Sequence, residues 1–199
     1  MTNPTATPST TKDFLTIVSG LPRSGTSMMM KMLEAGGMPV VVDNIRTADD
    51  DNPRGYYEFE PVKHTKEDAR WIDDTHGQAV KMVYSLVYDM PPDHHYRVLL
   101  MRRHIDEILA SQQAMLRRMG TDDDGISDEQ LSALFTSQLA DFNRWVAQQK
   151  NIRMMEVNYN AMLEEPRGEL ERINSFLGGG LDLEAMAAVV DASLYRNRK

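Results

Sequence analysis

The segment IVSGLPRSGTSMMM, residues 17–30, decides the fold. An apolar run ends at Gly20, four residues separate it from Gly25, and a helix-forming stretch follows. This spacing is close to the phosphate-binding loop G-x-x-x-x-G-K-[ST], except that Thr26 stands in the lysine position. A positive charge is present instead at Arg23, inside the loop. The segment therefore predicts a strand, an anion-binding loop and a helix.

The residue types in this loop suit an anion. Loop N–H groups and the positive end of the helix dipole attract negative charge, and Gly25 lets the backbone approach it closely. A guanidinium and three hydroxyl groups add donors, at Arg23, Ser24, Thr26 and Ser27. An ordinary Gly/Pro turn with a Ser or Thr helix cap is the alternative interpretation.

Apolar runs alternate with helical patterns along the chain. The predicted strands are residues 14–19, 38–43, 79–83, 96–101 and 152–157, with helices near 26–35, 61–71 and 105–119 between them. A capping box at Ser127 and Gln130 begins a longer helix, whose apolar positions are predicted to be core: Leu131, Leu134, Phe135, Leu139, Phe142, Trp145 and Val146. The pattern predicts an α/β, three-layer P-loop-type domain with a central, mainly parallel sheet of about five strands flanked by helices.

Length and composition limit the class of protein. The chain has 199 residues, 41% hydrophobic residues and a formal net charge of −8, which favours one acidic globular domain and argues against a nucleic-acid partner. It has no cysteine, and no apolar run approaches the ~20 residues of a membrane span. Residues 1–13 are predicted to be a disordered leader and residues 14–199 a single domain. We expect a cytoplasmic location.

Two motifs carry a family resemblance. VSGLPRSGTS resembles the 5′-phosphosulfate loop of sulfotransferases that use 3′-phosphoadenosine-5′-phosphosulfate (PAPS), in the P-R-S-G-T form of many bacterial members and of the tyrosylprotein enzymes. LLMRRHIDEILAS resembles the family's second signature, an Arg at a strand end with a Ser eight residues later. The resemblance implies that Arg103 and Ser111 bind the 3′-phosphate of the donor. The alternative for Arg103 is a weak surface salt bridge with Asp106 or Glu107.

The resemblance continues to the C-terminus. VNYNAMLEEPRGELERINSFLG, residues 157–178, resembles a family segment in which Asn160 here replaces a usual Glu. Family members often have late basic residues that close over the nucleotide, which makes Arg196 a candidate ligand; a solvated basic tail is the alternative. The implied co-substrate is PAPS, with no metal ion.

The sequence offers several candidates for the base that activates the acceptor. Family members with a histidine base place it two residues after a strand lysine, but here Val83 follows Lys81 at that distance. DNPRGYYEFE resembles a bacterial segment whose Glu is the base in other branches, and this implies that Glu58 is catalytic. The alternative is that Glu58 caps the next helix, and Glu60, His64 and His76 are weaker candidates. Lys81 and Arg23 are expected to neutralise charge on the transferring group.

The predicted function is transfer of a sulfuryl group from PAPS to a hydroxyl or amine of a small-molecule or peptide acceptor. A nucleoside-triphosphate-dependent, kinase-like enzyme and a non-catalytic nucleotide-binding module on the same fold are the alternatives. The chain is shorter than many family enzymes, so a second subunit of a homodimer is one way to complete the acceptor cavity.

Overall fold

A parallel sheet runs through the computed structural model, which describes residues 12–43, 45, 57–119 and 125–190. Its strands are β1 (Leu15–Gly20), β2 (Ala79–Lys81), β3 (Tyr96–Arg102) and β4 (Ile152–Asn158). They lie in the order β2-β1-β3-β4, and every neighbouring pair is parallel. All six residues of β1 are buried, as expected for a strand covered on both faces. The predicted α/β class with a central parallel sheet is confirmed.

The predicted strand count of five is wrong among the described residues, which form four. The segment 38–43 meets β2 only at a single bridge, between Val40 and Ala79. On either side of that bridge, the N–H of Val41 donates to the Ala79 carbonyl and the N–H of Ala79 donates to the Pro39 carbonyl. The N–H of Asp43 then donates to the carbonyl of Glu58 at 3.1 Å, so the segment turns away from the sheet after one pairing. The segment therefore touches the edge of the sheet without joining it, although its apolar residues predicted a strand.

The helices follow the predicted order. Their bounds are α1 (Thr26–Ala35), α2 (Ile105–Met119), α3 (Asp128–Val146), α4 (Tyr159–Glu164), α5 (Pro166–Phe176) and α6 (Leu183–Ala187). Both hydrogen bonds of the predicted capping box at Ser127 and Gln130 are present at the start of α3. The helix predicted at 61–71 is replaced by two 3₁₀ helices, Glu60–His64 and Arg70–Ile72, and a third covers Tyr84–Asp89.

Separate apolar clusters cover the two faces of the sheet. The first packs α1, α5 and α6 on residues such as Val18 and Leu99. The second packs the 3₁₀ helices and the C-terminal half of α3 on residues such as Ile17 and Val98. The prediction that every apolar position of α3 is core is wrong for Leu134, which is 47% exposed. Leu134 therefore lies on the exposed side of α3, whereas Leu131 and Phe135 in the same half are partly buried.

The strand order creates a crevice at one edge of the sheet. The chain passes from β1 to β2 on one side and then returns to β3 on the other side of β1. Ligands of open parallel sheets bind beyond the carboxyl ends of the strands, where the order reverses in this way. Gly20 ends β1 opposite Met101 of β3, so residues 21–25 and 103–104 flank the crevice. The division into a leader and a single domain stays a prediction, since residues 1–11 lie outside the described part.

Candidate functional site

The loop between β1 and α1 folds tightly over the end of β1. A Cβ added at Gly20 would lie 2.5 Å from the Ser24 hydroxyl oxygen and 3.0 Å from the Met101 carbonyl oxygen, so a glycine is required there. Arg23 has a left-handed backbone, with φ of 69°. The Ser24 hydroxyl is buried and has no hydrogen-bond partner among the described residues. A buried polar atom without a partner is costly, and its cost falls when a water, an ion or a ligand supplies the missing hydrogen bond.

The two predicted phosphate-binding motifs meet in space. Nε of Arg23 donates to the Ser111 hydroxyl oxygen at 3.0 Å, across 88 residues of sequence. Nη1 of Arg103 donates to the backbone carbonyl of Arg23 at 3.1 Å. Ser111 is buried on α2, while Arg103 follows the end of β3. The β1–α1 loop, the end of β3 and α2 therefore bring two arginines and a serine together in the crevice: Arg23, Arg103 and Ser111.

Arg103 is held by residues behind the crevice. Its Nε donates to Oε2 of Glu107 at 2.9 Å, and the two side chains are only 7% and 2% exposed. Its guanidinium carbon lies 4.8 Å from the centre of the Tyr159 ring, in cation–π geometry. The salt bridge weighed as the alternative for Arg103 thus exists, but it is buried, and the interpretation of Arg103 as a surface residue is wrong. A buried pair of this kind fixes the direction of the guanidinium.

Tyr159 joins this cluster to the loop. Its hydroxyl pKa is raised, mainly by burial; the nearby charge of Glu107 adds to the rise, whereas the charges of Arg103 and Arg23 oppose it. Gly25 has φ of 99° and packs against the Tyr159 ring, where an added Cβ would lie 2.3 Å from the nearest ring carbon. Tyr159 therefore supports the start of α1 and the guanidinium of Arg103 together.

Replacing Gly25 with alanine should lower the free energy of unfolding by about 1–3 kcal/mol, because it adds backbone strain and a clash with Tyr159. Gly37→Ala is the matched control: Gly37 also has a left-handed φ, of 90°, but nothing lies within 4 Å of its added Cβ. Urea denaturation of both variants measures the difference. Equal losses would show that the ring contact adds nothing beyond the backbone strain.

The predicted catalytic pair lies at the same edge of the sheet. Lys81 ends β2 in register with Val18 of β1, and its Nζ is 3.8 Å from Oε1 of Glu58. The side chains are 15% and 32% exposed, so the ion pair is partly shielded from water. Val83, two residues beyond Lys81, is 40% exposed and offers no proton-accepting group. Glu58 is therefore the carboxylate that contacts the strand lysine.

The segment that carries Glu58 is tied to α1. Tyr57 has a left-handed backbone, with φ of 51°, and its hydroxyl donates to the Glu34 carboxylate of α1. The alternative in which Glu58 caps the next helix is wrong, since Phe59 is the N-cap residue and its side chain makes no cap hydrogen bond. The Glu60 N–H donates instead to Oδ2 of Asp43 at 2.6 Å. The sequence reasoning missed Tyr57 and Glu34. No local signal links them, because they lie 23 residues apart.

Two other predicted site residues, Arg196 and His76, are not found among the crevice residues described above. Arg196 lies outside the described residues. His76 contacts His94 at 3.2 Å in the loop before β3, rather than the crevice residues. In the described ranges no group of three or more His, Asp or Glu side chains is arranged to hold a metal ion. No helix in those ranges has both the length and the apolar character to cross a membrane.

Several solved structures resemble this fold. The sulfotransferase domain from the curacin biosynthetic pathway has a TM-score of 0.54 and 14% identity, over 94% of this chain and 92% of that chain. Retinol dehydratase in complex with androsterone and inactive cofactor PAP has a TM-score of 0.49 and 15% identity, over 93% and 65% of the two chains. An unliganded sugar kinase from a Janibacter species has a TM-score of 0.42 and 14% identity, over 89% of this chain and 98% of that chain. At 14% identity the likeness to the curacin-pathway domain concerns the fold alone, and the two structures with TM-scores below 0.5 carry no argument.

No curated protein matches the chain significantly. The family model described as the sulfotransferase domain matches residues 14–199, almost the whole sequence. The chain therefore belongs to the sulfotransferase family, whose activity is sulfuryl transfer.

Proposed function

We propose that this protein transfers a sulfuryl group from PAPS to a hydroxyl or amine of a small-molecule or peptide acceptor. One observation carries the proposal: the hydrogen bond between Arg23 Nε and Ser111 Oγ brings the loop and the strand-end motif together. A donor with two anionic ends, one at the 5′ position and one at the 3′ position, needs two neighbouring cationic subsites. The crevice offers Arg23 and Arg103 for them.

The residues present fit such a donor. The buried, unpartnered Ser24 hydroxyl lies inside the loop and has hydrogen-bonding capacity for an anion. The N–H groups of Gly25, Thr26 and Ser27 lie at the start of α1, at the positive end of its dipole. These groups and Arg23 would hold the 5′-phosphosulfate. Arg103 and Ser111 would hold the 3′-phosphate, with Arg196 a further proposed ligand.

Glu58 and Lys81 are proposed to perform the proton and charge chemistry. The donor supplies the sulfuryl group when it is bound. Glu58 accepts the proton that the acceptor hydroxyl or amine must lose, and a carboxylate is a competent base for that step when it is in hydrogen-bond reach. Lys81, 3.8 Å from Glu58, orients this carboxylate and offsets negative charge next to the loop.

The donor class is tested by nucleotide binding without a metal. The protein should bind adenosine 3′,5′-bisphosphate at least about tenfold more tightly than adenosine 5′-monophosphate, because one charge-assisted phosphate contact is worth about 1.5–3 kcal/mol. Isothermal titration calorimetry in EDTA measures both affinities. Adenosine 5′-monophosphate is the matched control because it lacks only the 3′-phosphate.

Two other results would contradict the proposed function and indicate a different one. Tight binding of ATP that requires Mg²⁺ and ignores a 3′-phosphate would identify a kinase-like enzyme. Binding of the bisphosphate without transfer from labelled PAPS to any member of a broad acceptor panel would indicate a non-catalytic nucleotide-binding module.

A further inference from the structure

Asn160, at the start of α4, uses both ends of its side-chain amide. Its Nδ2 donates to both carboxylate oxygens of Glu107, at 3.1 Å and 3.2 Å. Its Oδ1 accepts the backbone N–H of His104 at 3.3 Å. Asn160 is 8% exposed and Glu107 is 2% exposed, so water is largely excluded from these bonds. The site therefore requires a neutral group that donates on one side and accepts on the other.

The Glu107 carboxylate, held in place by Asn160, in turn orients Arg103. It accepts a hydrogen bond from Arg103 Nε, while Arg103 Nη1 reaches the carbonyl of Arg23 and the guanidinium lies over the Tyr159 ring. The guanidinium is thus held at two nitrogens and on one face. A long side chain that is ordered before binding loses less conformational entropy when it meets an anion.

We propose that Asn160 is a positioning residue that acts through Glu107 to hold Arg103 in the orientation that receives the 3′-phosphate of the nucleotide. This inference rests on the proposed function, because it concerns the same subsite. Asn160 contacts the carboxylate behind the arginine and does not touch the phosphate itself. Its contribution is the alignment of the guanidinium, because its hydrogen bonds to both Glu107 oxygens fix the carboxylate that Arg103 binds.

Asn160→Asp tests the proposal, because it keeps the size of the side chain and replaces the donor by a second negative charge. At pH 8.5 the variant should bind adenosine 3′,5′-bisphosphate about tenfold more weakly, which corresponds to one lost charge-assisted contact. Its affinity for adenosine 5′-monophosphate, which has no 3′-phosphate, should stay within about twofold of the unmodified protein. A general loss of structure would weaken both ligands.

Asn158→Asp is the matched control. Asn158 is exposed, and its side chain caps α4 by accepting from the Ala161 N–H at 3.0 Å. An aspartate caps equally well, so this variant adds the same charge two residues away and leaves Glu107 untouched. Calorimetry should give nucleotide affinities close to those of the unmodified protein.

The pH dependence gives a second readout. In Asn160→Asp two buried carboxylates face each other at hydrogen-bond distance, and they must share a proton to coexist. Within the described residues, the other polar and charged groups that face Glu107 include Arg103, Tyr159 and His104, whose Nδ1 lies 3.8 Å from Oε1, and all of them remain in the variant. The affinity ratio between unmodified protein and variant should therefore be small at pH 6 and grow toward pH 8.5. Titration of the ligand phosphate cancels in this ratio.

Each outcome decides something specific. If the unmodified protein does not prefer the bisphosphate over the monophosphate, the proposed function fails. If it does, and Asn160→Asp binds like Asn158→Asp at both pH values, the positioning role of Asn160 is overturned. Equal weakening of both nucleotides would assign Asn160 a structural role only and overturn it as well.

Discussion

Replacing Glu58 with glutamine should lower the rate of sulfuryl transfer about 10²–10⁴-fold, the usual contribution of a positioned general base. Glutamine has the same shape, but its amide cannot take the acceptor proton. Glu58 contacts Lys81 and is not one of the residues proposed to hold the nucleotide phosphates, so the affinity for adenosine 3′,5′-bisphosphate should stay within about twofold. Transfer from labelled PAPS to an acceptor found with the unmodified protein measures the rate, and calorimetry measures the affinity.

Glu60→Gln is the control for the Glu58 variant. Glu60 lies two residues away and pairs with Lys63 at 2.7 Å, with half of its side chain exposed. Its change removes the same charge from the same segment, and the transfer rate should be nearly unaffected. If Glu58→Gln turns over as fast as Glu60→Gln, another group is the base.

The strand, loop and helix of residues 15–35 could be predicted because their signals are local. An apolar run, two glycines and a helical pattern follow one another, and each element forms where its residues are. The segment 38–43 also has apolar residues, but its conformation depends on a residue far along the chain. The Asp43 N–H donates to the carbonyl of Glu58, fifteen residues later. A hydrogen bond between residues so far apart produces no periodic pattern in the sequence, so it could not be predicted from the apolar residues.

The candidate site shows the same division. Arg102 and Arg103 are adjacent in sequence, and only the family resemblance selected Arg103. In the structure Arg102 points to Glu156 of β4 at 3.8 Å, whereas Arg103 turns to the loop because Glu107 and Tyr159 hold it there. Composition could not show this, since the partners come from α2 and α4.

The contact between Arg23 and Ser111 changes how the loop is understood. The family resemblance implied that Arg23 binds the 5′ end of the donor and that Ser111 binds the 3′ end, as separate subsites. Their hydrogen bond at 3.0 Å means that both anionic ends would meet one connected network. A ligand with only one phosphate would engage part of it, which is the physical basis for expecting selectivity for a bisphosphate.

Replacing Arg103 with alanine should weaken adenosine 3′,5′-bisphosphate binding about 100-fold, or about 2.7 kcal/mol. The variant loses a charged donor to the phosphate and also leaves the Glu107 carboxylate, 2% exposed, without its cationic partner. That stranded carboxylate would repel the incoming 3′-phosphate, so the effect exceeds the loss of one contact. Adenosine 5′-monophosphate should bind nearly as before.

Arg102→Ala separates this effect from a general loss of positive charge. Arg102 is the adjacent residue, its side chain is 39% exposed, and it lies by Glu156 instead of the loop. Both variants change the net charge equally, so calorimetry should show a large loss of bisphosphate affinity for Arg103→Ala and a loss below about twofold for Arg102→Ala. Because burial of the lone Glu107 carboxylate also destabilises the fold, thermal unfolding of both variants without ligand shows whether Arg103→Ala is folded at the assay temperature. Equal affinities of two folded variants would remove Arg103 from the nucleotide site.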